Sequence, residues 1–386
     1  MKVCIVSRNI NNDYTGSFEF DQAMALKKAG CDVYVISLDF RSVRRKRKLG
    51  MYTDTYKGIS VLRCSFPIGP VNDKLFNKIG CSLFKKAYLK LKETAGEFDF
   101  VHSHFLPVSY ITVYTLKNIL QDKTPVVVTE HSSTMNVDIE RMPENEAKKA
   151  GYVYTNADRV ISVSKALAQK IKNNFGIDCE VIYNVFDSDI FRFSGKTGGS
   201  ESSFVFVSAG NLTENKRMDL LIRGFYAAFK ETFGSKKTQL CIFGDGPERE
   251  ALKDLIEKLD LTEHVFLMGQ KSRKEIADFY TKADAFVLLS QRETFGVAYI
   301  EAMAAGLPVI SCHSGGPEDF IQPEVGIFSG ENETDAAEAL LDMRENRDRY
   351  DSRHISEYAE SICGSKAVAA QIKAVYEKQT EGKYYG

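Results

Sequence analysis

Residues 285–311 read AFVLLSQRETFGVAYIEAMAAGLPVIS, and this stretch decides the fold. It begins with a short apolar run that is typical of a buried strand, and after Pro308 it ends on a second β-branched run. Between the two runs, Gly296 opens a predicted helix and Gly306 stands where a helix C-terminal glycine belongs. The helix is therefore predicted from about Gly296 to Ala305. The order strand, loop, helix and strand predicts a βαβ unit of a parallel sheet.

The same alternation of β-branched runs and helical periodicity continues along most of the chain and predicts the α/β class. In the first half, strands are predicted at Val3–Ser7, Asp32–Ser37, Phe100–Ser103, Pro125–Thr129, Arg159–Val163 and Glu180–Tyr183. In the second half, strands are predicted at Phe204–Ser208, Gln239–Phe243, Val265–Met268, Ala285–Ser290 and Pro308–Ser311.

Residues 193–203, FSGKTGGSESS, lose all periodicity and are rich in Gly and Ser, so they are predicted to be an interdomain linker. The length of 386 residues also favours two hydrophobic cores. We therefore predict two doubly wound domains, 1–192 and 204–362. The remaining residues, 363–386, are predicted to form a C-terminal helix, and its return to the first domain is left open.

The composition is that of an ordinary globular protein, with 44% hydrophobic and 27% charged residues. No apolar run reaches the ~20 residues of a membrane helix, and the opening MKVCIVSRNI is not expected to be a signal peptide. A cytoplasmic protein is expected. The eight cysteines are scattered without a CxxC pair and are expected to be reduced, structural thiols.

The two halves of the chain differ in charge. Residues 1–196 hold 29 Lys and Arg against 21 Asp and Glu, whereas the remainder holds 22 against 31. Most of the basic excess lies in Arg41–Lys48 and in the amphipathic pattern of Lys74–Lys92. Such a helix can contact an anionic membrane, at the inner face of the cell membrane, or pack on its own sheet with a solvated lysine face. Both interpretations stay open, and no nucleic-acid partner is expected.

Two carboxylates bracket the start of the helix predicted at Gly296. Its first amides, those of Phe295, Gly296 and Val297, point towards the strand-end crevice, where amides and the helix dipole favour a phosphate. Glu293 precedes them, beside the phosphate position. Glu301 lies in the apolar turn VAYIEAMAAG, where a carboxylate needs hydrogen-bond donors such as sugar hydroxyls. The pair could hold the two sugars of one nucleotide-sugar; the alternative is a solvated loop glutamate and an ordinary helix glutamate.

The segment from Glu293 to Glu301 resembles the Glu-x7-Glu motif of glycosyltransferase family 4, a large retaining family with the GT-B fold. Nearby segments of the second half resemble the same family at Gly244-Asp245-Gly246-Pro247, Gly269, Ala283-Asp284, Ser290 and Gly315-Gly316-Pro317-Glu318. The first half resembles it at Gly16, Phe18, Gln22, Gly30–Val33, Asp99–His104, Thr129-Glu130-His131, Ala157–Ser164 and Val181–Phe191. The resemblance therefore covers nearly the whole chain.

The resemblance implies a GT-B fold, in which two Rossmann-like domains face a deep interdomain cleft. It also implies a glycosyltransferase that moves a hexose-type sugar, with retention, from a nucleotide diphosphate donor to a glycan or lipid-linked acceptor. Assembly of cell-surface polysaccharide, such as capsule, lipopolysaccharide or exopolysaccharide, is the expected setting. No metal or other cofactor is expected.

The resemblance assigns roles to residues of the second half. Glu293 would contact the hydroxyls of the transferred sugar, Glu301 the ribose, and Lys216 the diphosphate, whose departure its charge would assist. Main-chain groups at Gly269 and Gln270 would lie near the base. The alternative for Lys216 is a solvated lysine beside Arg217.

One position departs from the family pattern. Many members have an arginine where this chain has Asn211, which can donate neutral hydrogen bonds to phosphate but carries no charge. Arg217, next to Lys216, is expected to compensate for the missing cation.

In the first half, the resemblance points to His131, a strand-end imidazole that could hydrogen-bond the transferred sugar or shuttle a proton from the acceptor. A structural histidine is the alternative. Gly16 lies in a loop after the first strand, where backbone can approach a diphosphate only without a side chain in the way. Closure of the first domain over the donor is expected to exclude water.

Metal sites have little support in the sequence. His102 and His104 alternate on a strand and share a face, but no third ligand is assigned to a zinc site. Asp187-Ser188-Asp189 is interpreted as a turn and helix cap and not as a metal motif.

Two other functions stay open at this point. Sugar-nucleotide 2-epimerases share the two-domain architecture without transferring a sugar. A non-catalytic binding protein descended from such enzymes would be consistent with Asn211.

Overall fold

The computed structural model describes residues 1–8, 18–42, 44, 47–195, 203–232 and 237–381. The chain forms two compact units. The first contains the described residues up to Asn184 and those from Val368 onward, and the second contains Val185–Ala367. Each unit is built around one sheet, as the sequence predicts for an α/β protein.

The sheet of the first unit contains β1 (Lys2–Arg8), β2 (Asp32–Asp39), β3 (Gly50–Tyr56), β4 (Ile59–Ser65), β5 (Phe100–His104), β6 (Val126–Glu130), β7 (Arg159–Ser162) and β8 (Glu180–Val181). Their order is β3-β4-β2-β1-β5-β6-β7-β8. Neighbouring strands run parallel except β3 and β4. The helices are α1 (Phe18–Lys28), α2 (Asp73–Ala95), α3 (Leu106–Tyr114), α4 (Glu144–Asn156) and α5 (Lys165–Phe175). A π-helical segment continues α3 over Thr115–Leu120, and single 3₁₀ turns lie at Ser133–Met135 and Ile139–Arg141.

The sheet of the second unit contains β9 (Ser203–Ala209), β10 (Lys237–Phe243), β11 (Val265–Gly269), β12 (Ala285–Leu288), β13 (Val309–Cys312) and β14 (Gly326–Ser329). All pairs are parallel, in the order β11-β10-β9-β12-β13-β14. The helices are α6 (Met218–Phe229), α7 (Arg249–Lys258), α8 (Arg273–Tyr280), α9 (Val297–Ala304), α10 (Glu333–Glu345) and α11 (Ser352–Cys363), and α12 (Ser365–Glu381) follows them. Single 3₁₀ turns lie at Glu214–Lys216, Pro317–Asp319 and Arg347–Arg349.

Every predicted strand has a counterpart in these sheets, and the α/β class is confirmed. Strands β3, β4 and β14 are additional. The β3-β4 hairpin turns at Lys57 and Gly58, whose φ angles are 46° and 76°. Two consecutive positive φ angles are the requirement of a type I′ hairpin turn, so the Lys-Gly pair was the available signal for this hairpin.

The division between the units lies earlier than the predicted end of the first domain at residue 192. Phe186 and Phe191 are buried within the second unit. The amide of Phe186 donates to the carbonyl of Cys363 at 3.4 Å, and the ring of Phe191 lies 6.0 Å from that of Tyr280. This hydrogen bond and this ring contact hold residues 185–192 in the second unit. Of the predicted linker 193–203, residues 196–202 lie outside the described residues.

The last helix, from Val368 onward, packs on the first unit. The ring of Tyr376 stacks on Phe100 with centroids 4.5 Å apart, and its hydroxyl lies 2.7 Å from Nδ1 of His102. Lys373 donates to the carbonyl of Ala29 at 3.2 Å. Tyr376 thus joins this helix to the sheet by stacking and by a buried hydrogen bond.

Substituting Tyr376→Phe keeps the stacking but leaves Nδ1 of His102 buried without its hydroxyl partner. We expect a loss of about 1–3 kcal/mol in the free energy of unfolding, measured by urea denaturation of the full chain. Tyr226→Phe, on the half-buried surface of α6, is the matched control and should change stability by less than about 0.5 kcal/mol. Equal effects of the two substitutions would contradict a structural role for this hydrogen bond.

Candidate functional site

The sheet of the second unit has a point at which the strand order reverses. Strand β9 lies between β10 and β12, so the chain winds outward in both directions from this place. Open parallel sheets bind ligands beyond the carboxyl ends of their strands at such a point. The loops that follow β9 and β12 are therefore the positions at which a ligand site is expected.

These loops are held to one another by hydrogen bonds. The amide of Gln291 donates to the carbonyl of Asn215 at 2.8 Å, and the side chain of Asn215 donates to the carbonyl of Arg292 at 3.0 Å. On the other side, the amide of Glu293 donates to the carbonyl of Ser314 at 2.8 Å. The loops after β9, β12 and β13 therefore form one connected rim.

Two glycines allow the backbones of this rim to touch. A Cβ on Gly244 would lie 1.9 Å from the carbonyl oxygen of Gly210, and a Cβ on Gly316 would lie 2.4 Å from Cα of Phe295. Contacts this short involve main-chain atoms, which cannot move aside as a flexible side chain can. The resemblance motifs GDGP and GGPE thus mark places where two loops meet without an intervening side chain.

The rim brings Lys216 and Glu293 together. Nζ of Lys216 lies 2.5 Å from Oε1 of Glu293, and their side chains are 21% and 11% exposed. The two residues are separated by 77 positions in the chain. Both were predicted as catalytic from the sequence, and the structure places them at the reversal of the strand order.

Helix α9 begins beside this ion pair. It runs from Val297 to Ala304, one residue shorter at each end than predicted, and Gly296 precedes it with φ 96° and ψ 60°. The N-cap residue Gly296 has no side chain that could cap the first turn, and Phe295 before it is buried and packs on Phe320 with centroids 5.2 Å apart. A helix start without a side-chain cap offers amides and the positive end of the helix dipole to an anion.

Glu301 lies one turn further along α9 and forms an ion pair of its own. Nη2 of Arg273 lies 2.9 Å from its Oε1, with side chains 11% and 16% exposed, respectively. Burial raises the pKa of Glu301, and Arg273 opposes this effect. The sequence analysis missed Arg273. The Ser272-x-x-Glu275 capping box could have fixed the start of α8, but not the contact with α9.

The other predicted donor residues lie around the same edge. Gly269 ends β11 with φ 71° and accepts a hydrogen bond from the amide of Gly244 at 2.9 Å, and Gln270 after it is exposed. Asn211 is exposed in the loop after β9. Arg217 donates to the carbonyl of Glu331 at 2.5 Å. Arg217 thus contacts Glu331 in the structure. That its charge replaces the cation missing at Asn211 stays a prediction.

The first unit contains a cluster of three histidines at the ends of β5 and β6. His102 and His104 share one face, as predicted, and their rings stack at 4.6 Å. Nδ1 of His102 lies 2.7 Å from the hydroxyl of Tyr376, and Nε2 lies 2.7 Å from Oγ1 of Thr129. Both ring nitrogens are engaged by protein hydroxyls, which does not suit a zinc ligand.

His131 directly follows β6 and completes the cluster. Its Nε2 lies 3.0 Å from Nδ1 of His104, and Phe18 and Phe105 pack on its ring at 4.9 and 4.8 Å. Burial lowers the pKa of His131 well below its usual range, and the nearby guanidinium of Arg8 lowers it further. His131 is therefore neutral at physiological pH.

A buried carboxylate fixes the loop that carries His131. Glu130 accepts hydrogen bonds from the amides of His131 and Ser132 at 2.9 and 2.8 Å and from the hydroxyl of Tyr154 at 2.9 Å. Burial raises the pKa of Glu130, while these donors lower it. The Thr-Glu-His segment therefore contains its own positioning group for the histidine.

Two remaining predictions concern Gly16 and the Asp187–Asp189 triplet. Gly16 lies outside the described residues. The amide of Asp189 donates to Oδ1 of Asp187 at 3.1 Å, and that of Ile190 donates to the Asp187 carbonyl at 3.0 Å, so this segment is a turn, as predicted. The predicted helix cap is wrong, because no helix follows this turn among the described residues before β9. Within the part of the chain that the structure describes, no group of three or more His, Cys, Asp or Glu side chains could hold a metal ion.

Fold and site together define a glycosyltransferase of the GT-B type. Residues 20–190 match the family described as "Glycosyltransferase Family 4", and residues 189–361 match that described as "Glycosyl transferases group 1". The chain belongs to glycosyltransferase family 4, as its sequence motifs indicate.

The chain is similar to characterised relatives over most of its length. It is 26% identical to N-acetyl-alpha-D-glucosaminyl L-malate synthase of Bacillus anthracis, covering 74% of this chain and 77% of that protein. It is 27% identical to alpha-monoglucosyldiacylglycerol synthase of Acholeplasma laidlawii, covering 78% of each. Among solved structures, the Anabaena protein HepE in complex with UDP and glucose has a TM-score of 0.72 at 17% identity, covering 98% of this chain and 100% of that chain.

The neutral histidines predict a dependence of stability on pH. Burial lowers the pKa of His102 to about 3 and those of His104 and His131 well below the usual range. Below about pH 6.5, the unfolded chain binds protons that the folded chain does not, so stability should fall as pH falls. Each histidine contributes up to about 1.4 kcal/mol per pH unit.

Urea denaturation between pH 7 and 5 measures this slope. His104→Gln should make it shallower, because one of the neutral imidazoles is gone. His313→Gln is the control, since that side chain is 68% exposed. Equal slopes for wild type and His104→Gln would show that His104 is not held neutral.

Proposed function

We propose that this glycosyltransferase moves a hexose-type sugar from a nucleoside diphosphate donor to a glycan or lipid-linked acceptor, in the biosynthesis of cell-surface polysaccharide. The observation that carries the proposal is the Lys216–Glu293 pair beside the start of α9, at the reversal of strand order in the second unit. A cation, a set of helix amides and a carboxylate in one place suit a diphosphate attached to a sugar.

The diphosphate is proposed to bind at the start of α9. The amides of Phe295, Gly296 and Val297 would donate to its oxygens, and Lys216 would supply the positive charge. In the structure, Oε1 of Glu293 lies 2.5 Å from Nζ of Lys216 and neutralises that charge. A bound diphosphate would compete for Lys216, and the released carboxylate of Glu293 could then accept hydrogen bonds from the hydroxyls of the transferred sugar.

The nucleoside is proposed to lie along the rest of the rim. Glu301 would accept from the ribose hydroxyls, and the main chain at Gly269 and Gln270 would contact the base. Asn211 and Arg217 are proposed as neutral and charged donors near the phosphates. The HepE structure contains UDP and glucose, which is consistent with a uridine nucleotide but leaves the base of this donor to experiment.

His131 is proposed to hydrogen-bond the transferred sugar. The lowered pKa favours this role over that of a general base, because an imidazole whose conjugate acid is so acidic accepts a proton weakly. As a neutral ring, it can donate or accept one hydrogen bond without the repulsion that a charged ring would experience from Arg8. Gly16 stays a proposed contact of the diphosphate.

Transfer is proposed to proceed without a metal and with retention of anomeric configuration. Lys216 and the α9 amides would stabilise the diphosphate leaving group, the task that a divalent cation performs elsewhere. Neither Glu293 nor Glu301 is proposed as a covalent nucleophile. The anomeric configuration of the product, read by NMR on a defined acceptor, tests this proposal, and an inverted linkage would contradict it.

The central test is Glu293→Gln. Donors would first be selected by thermal shift from a panel of UDP-, GDP- and ADP-sugars, since specific ligands raise the melting temperature. With the selected donor and EDTA present, wild type should release nucleoside diphosphate only when acceptor is added. Glu293→Gln should lower kcat by about 10²- to 10³-fold, because a neutral amide replaces the acceptor of the sugar hydroxyls.

Glu263→Gln, an exposed residue before β11, is the matched control and should leave kcat unchanged. Unchanged transfer by Glu293→Gln would exclude the proposed role of Glu293. Activity that requires added magnesium would contradict the metal-independent mechanism. Conversion of the nucleotide-sugar into its C2 epimer without an acceptor, and without release of nucleoside diphosphate, would favour the epimerase alternative.

Peripheral membrane contact through α2 is the second part of the proposal. Helix α2 buries Cys81, Phe84, Tyr88 and Leu91, so it packs on the first unit as the alternative interpretation expected. Its outer face nevertheless combines exposed lysines with large exposed apolar residues, namely Lys74, Leu75, Lys78, Lys86, Leu89 and Lys90. No helix among the described residues is long and apolar enough to cross a membrane.

Aromatic residues lie next to this face. Tyr110, Tyr114 and Tyr152 form a cluster with centroids 5.6–5.8 Å apart. Lys149 links it to α2 by lying over Tyr110 and pairing with Asp73. Tyrosines beside lysines are frequent where proteins meet lipid headgroups. The Acholeplasma relative is named for a lipid product, which supports a lipid-linked acceptor.

Substituting Lys78, Lys86 and Lys90 by Gln tests the membrane proposal. Each basic residue near an anionic surface contributes about 1 kcal/mol, so the triple variant should bind phosphatidylserine vesicles about 100-fold more weakly. Vesicle cosedimentation measures this. Neutralising Lys253, Lys258 and Lys274 of the second unit is the matched control. Equal binding of both variants would contradict docking through α2. A separate variant in which Arg44, Arg47 and Lys48 are neutralised tests whether the basic segment Arg41–Lys48 contributes to vesicle binding.

A further inference from the structure

Arg273 and Glu301 form the most enclosed ion pair around the proposed donor site. Nη2 of Arg273 lies 2.9 Å from Oε1 of Glu301, and both side chains are largely buried. The guanidinium carbon of Arg273 also lies 5.4 Å from the ring centre of Phe191. A pair enclosed in this way keeps its geometry, because aromatic packing restricts the guanidinium and hydrogen bonding restricts the carboxylate.

The surroundings of Glu301 oppose its negative charge. Burial in the apolar helix α9 is the largest effect, and the carboxylate of Asp187 adds repulsion. Burial raises the pKa of Tyr280 on α8, and the negative charge of Glu301 adds to this effect. Arg273 is the group that counteracts the effects on Glu301, through its charge and through its hydrogen bond. Without Arg273, the pKa of the carboxyl in this place would be raised further.

The contact uses one oxygen of the carboxylate. Arg273 donates to Oε1, and Oε2 lies outside this hydrogen bond. An ionised carboxylate has about four lone-pair positions, and a charged acceptor binds hydroxyl donors more strongly than a protonated one. The ion pair therefore leaves the carboxylate able to accept from a second partner.

We propose that Arg273 is a positioning residue for donor binding, which holds Oε1 of Glu301 so that Oε2 of the ionised carboxylate receives the hydroxyls of a ribose. The inference rests on the proposed function, since Glu301 contacts the ribose only in that proposal. Arg273 itself acts through Glu301 and needs no contact with the nucleotide.

The proposal predicts how Arg273→Gln changes binding with pH. Removing the guanidinium raises the pKa of Glu301 further, because burial and Asp187 then act unopposed. A larger fraction of the variant carboxyl is then protonated at a given pH, and the protonated form accepts ribose hydroxyls poorly. We expect 10- to 100-fold weaker binding of the nucleoside diphosphate, with the loss becoming smaller as pH rises. Arg273→Lys should recover part of the affinity.

Calorimetric titration of wild type and variants measures this. The probes are UDP, GDP and ADP, each compared with its 2′,3′-dideoxy analogue. Arg273→Gln should weaken the ribonucleotide that wild type binds best, while the dideoxy analogue binds both proteins equally. Lys274→Gln, the exposed neighbour on α8, should bind like wild type. Equal ribonucleotide affinity and pH profile in Arg273→Gln and wild type would overturn the inference.

A nucleotide-free measurement separates this inference from the proposed function. A carboxyl whose pKa is raised on folding stabilises the folded state at low pH, and that stabilisation is lost as pH rises through the folded pKa. Between pH 5 and 8, the unfolding midpoint of Arg273→Gln should therefore decline relative to that of wild type as pH rises, whatever the slope that the buried histidines give to both proteins. The double variant Arg273→Gln/Glu301→Gln should lose this extra slope.

Failure of the proposed function can be distinguished from failure of the inference about Arg273. If wild type binds none of the three nucleoside diphosphates, the proposed function and the ribose part of the inference are both overturned. A decline in the stability of Arg273→Gln relative to wild type as pH rises would still show that Arg273 lowers the pKa of Glu301. If wild type binds a nucleotide but Arg273→Gln matches it in affinity and slope, the inference alone is overturned.

Discussion

The second unit depends on direct contact between the backbones of its strand-end loops. Parallel strands end at one edge of the sheet, so their loops compete for the same space. Two glycines let neighbouring loops come close enough to share this space. Gly244 contacts the backbone of Gly210, and Gly316 contacts that of Phe295, at distances that a Cβ would not permit. Because the loops touch, hydrogen bonds between them can fix the positions of Lys216 and Glu293. The positions of Lys216 and Glu293 thus depend on the two glycines, which have no side chains to separate the loops.

The sheets could be predicted because central parallel strands are apolar on both faces and give continuous runs in the sequence. Strand β3 escaped prediction for the opposite reason. It lies at the sheet edge and pairs antiparallel with β4, and its side chains are only half-buried or exposed. The domain boundary also escaped, because Phe186 and Phe191 carry no local sign of the unit against which they pack.

The sequence indicated which loops carry the residues of the candidate site, but not which side chains contact one another. Glycine spacing and strand ends indicated which loops bear Lys216 and Glu293, whereas their contact joins residues 77 positions apart. The pairs Arg273–Glu301 and His104–His131 join residues 28 and 27 apart, on different elements. Spacing predicts a shared face only within one element, as it did for His102 and His104. Between elements, the partner is decided by packing, which a single sequence does not reveal.

The two carboxylates of the proposed donor site are neutralised in physically different ways. Lys216 is the more exposed cation, and its flexible ammonium can exchange Glu293 for another anion at modest cost. Arg273 is enclosed and offers a rigid fork to Glu301, so breaking that pair would leave a buried charge without compensation. Under the proposed function, the first pair would open when a diphosphate arrives, and the second would remain closed while a ligand adds to it. The proposed donor site would then combine a replaceable contact at the phosphates with a permanent one behind the ribose.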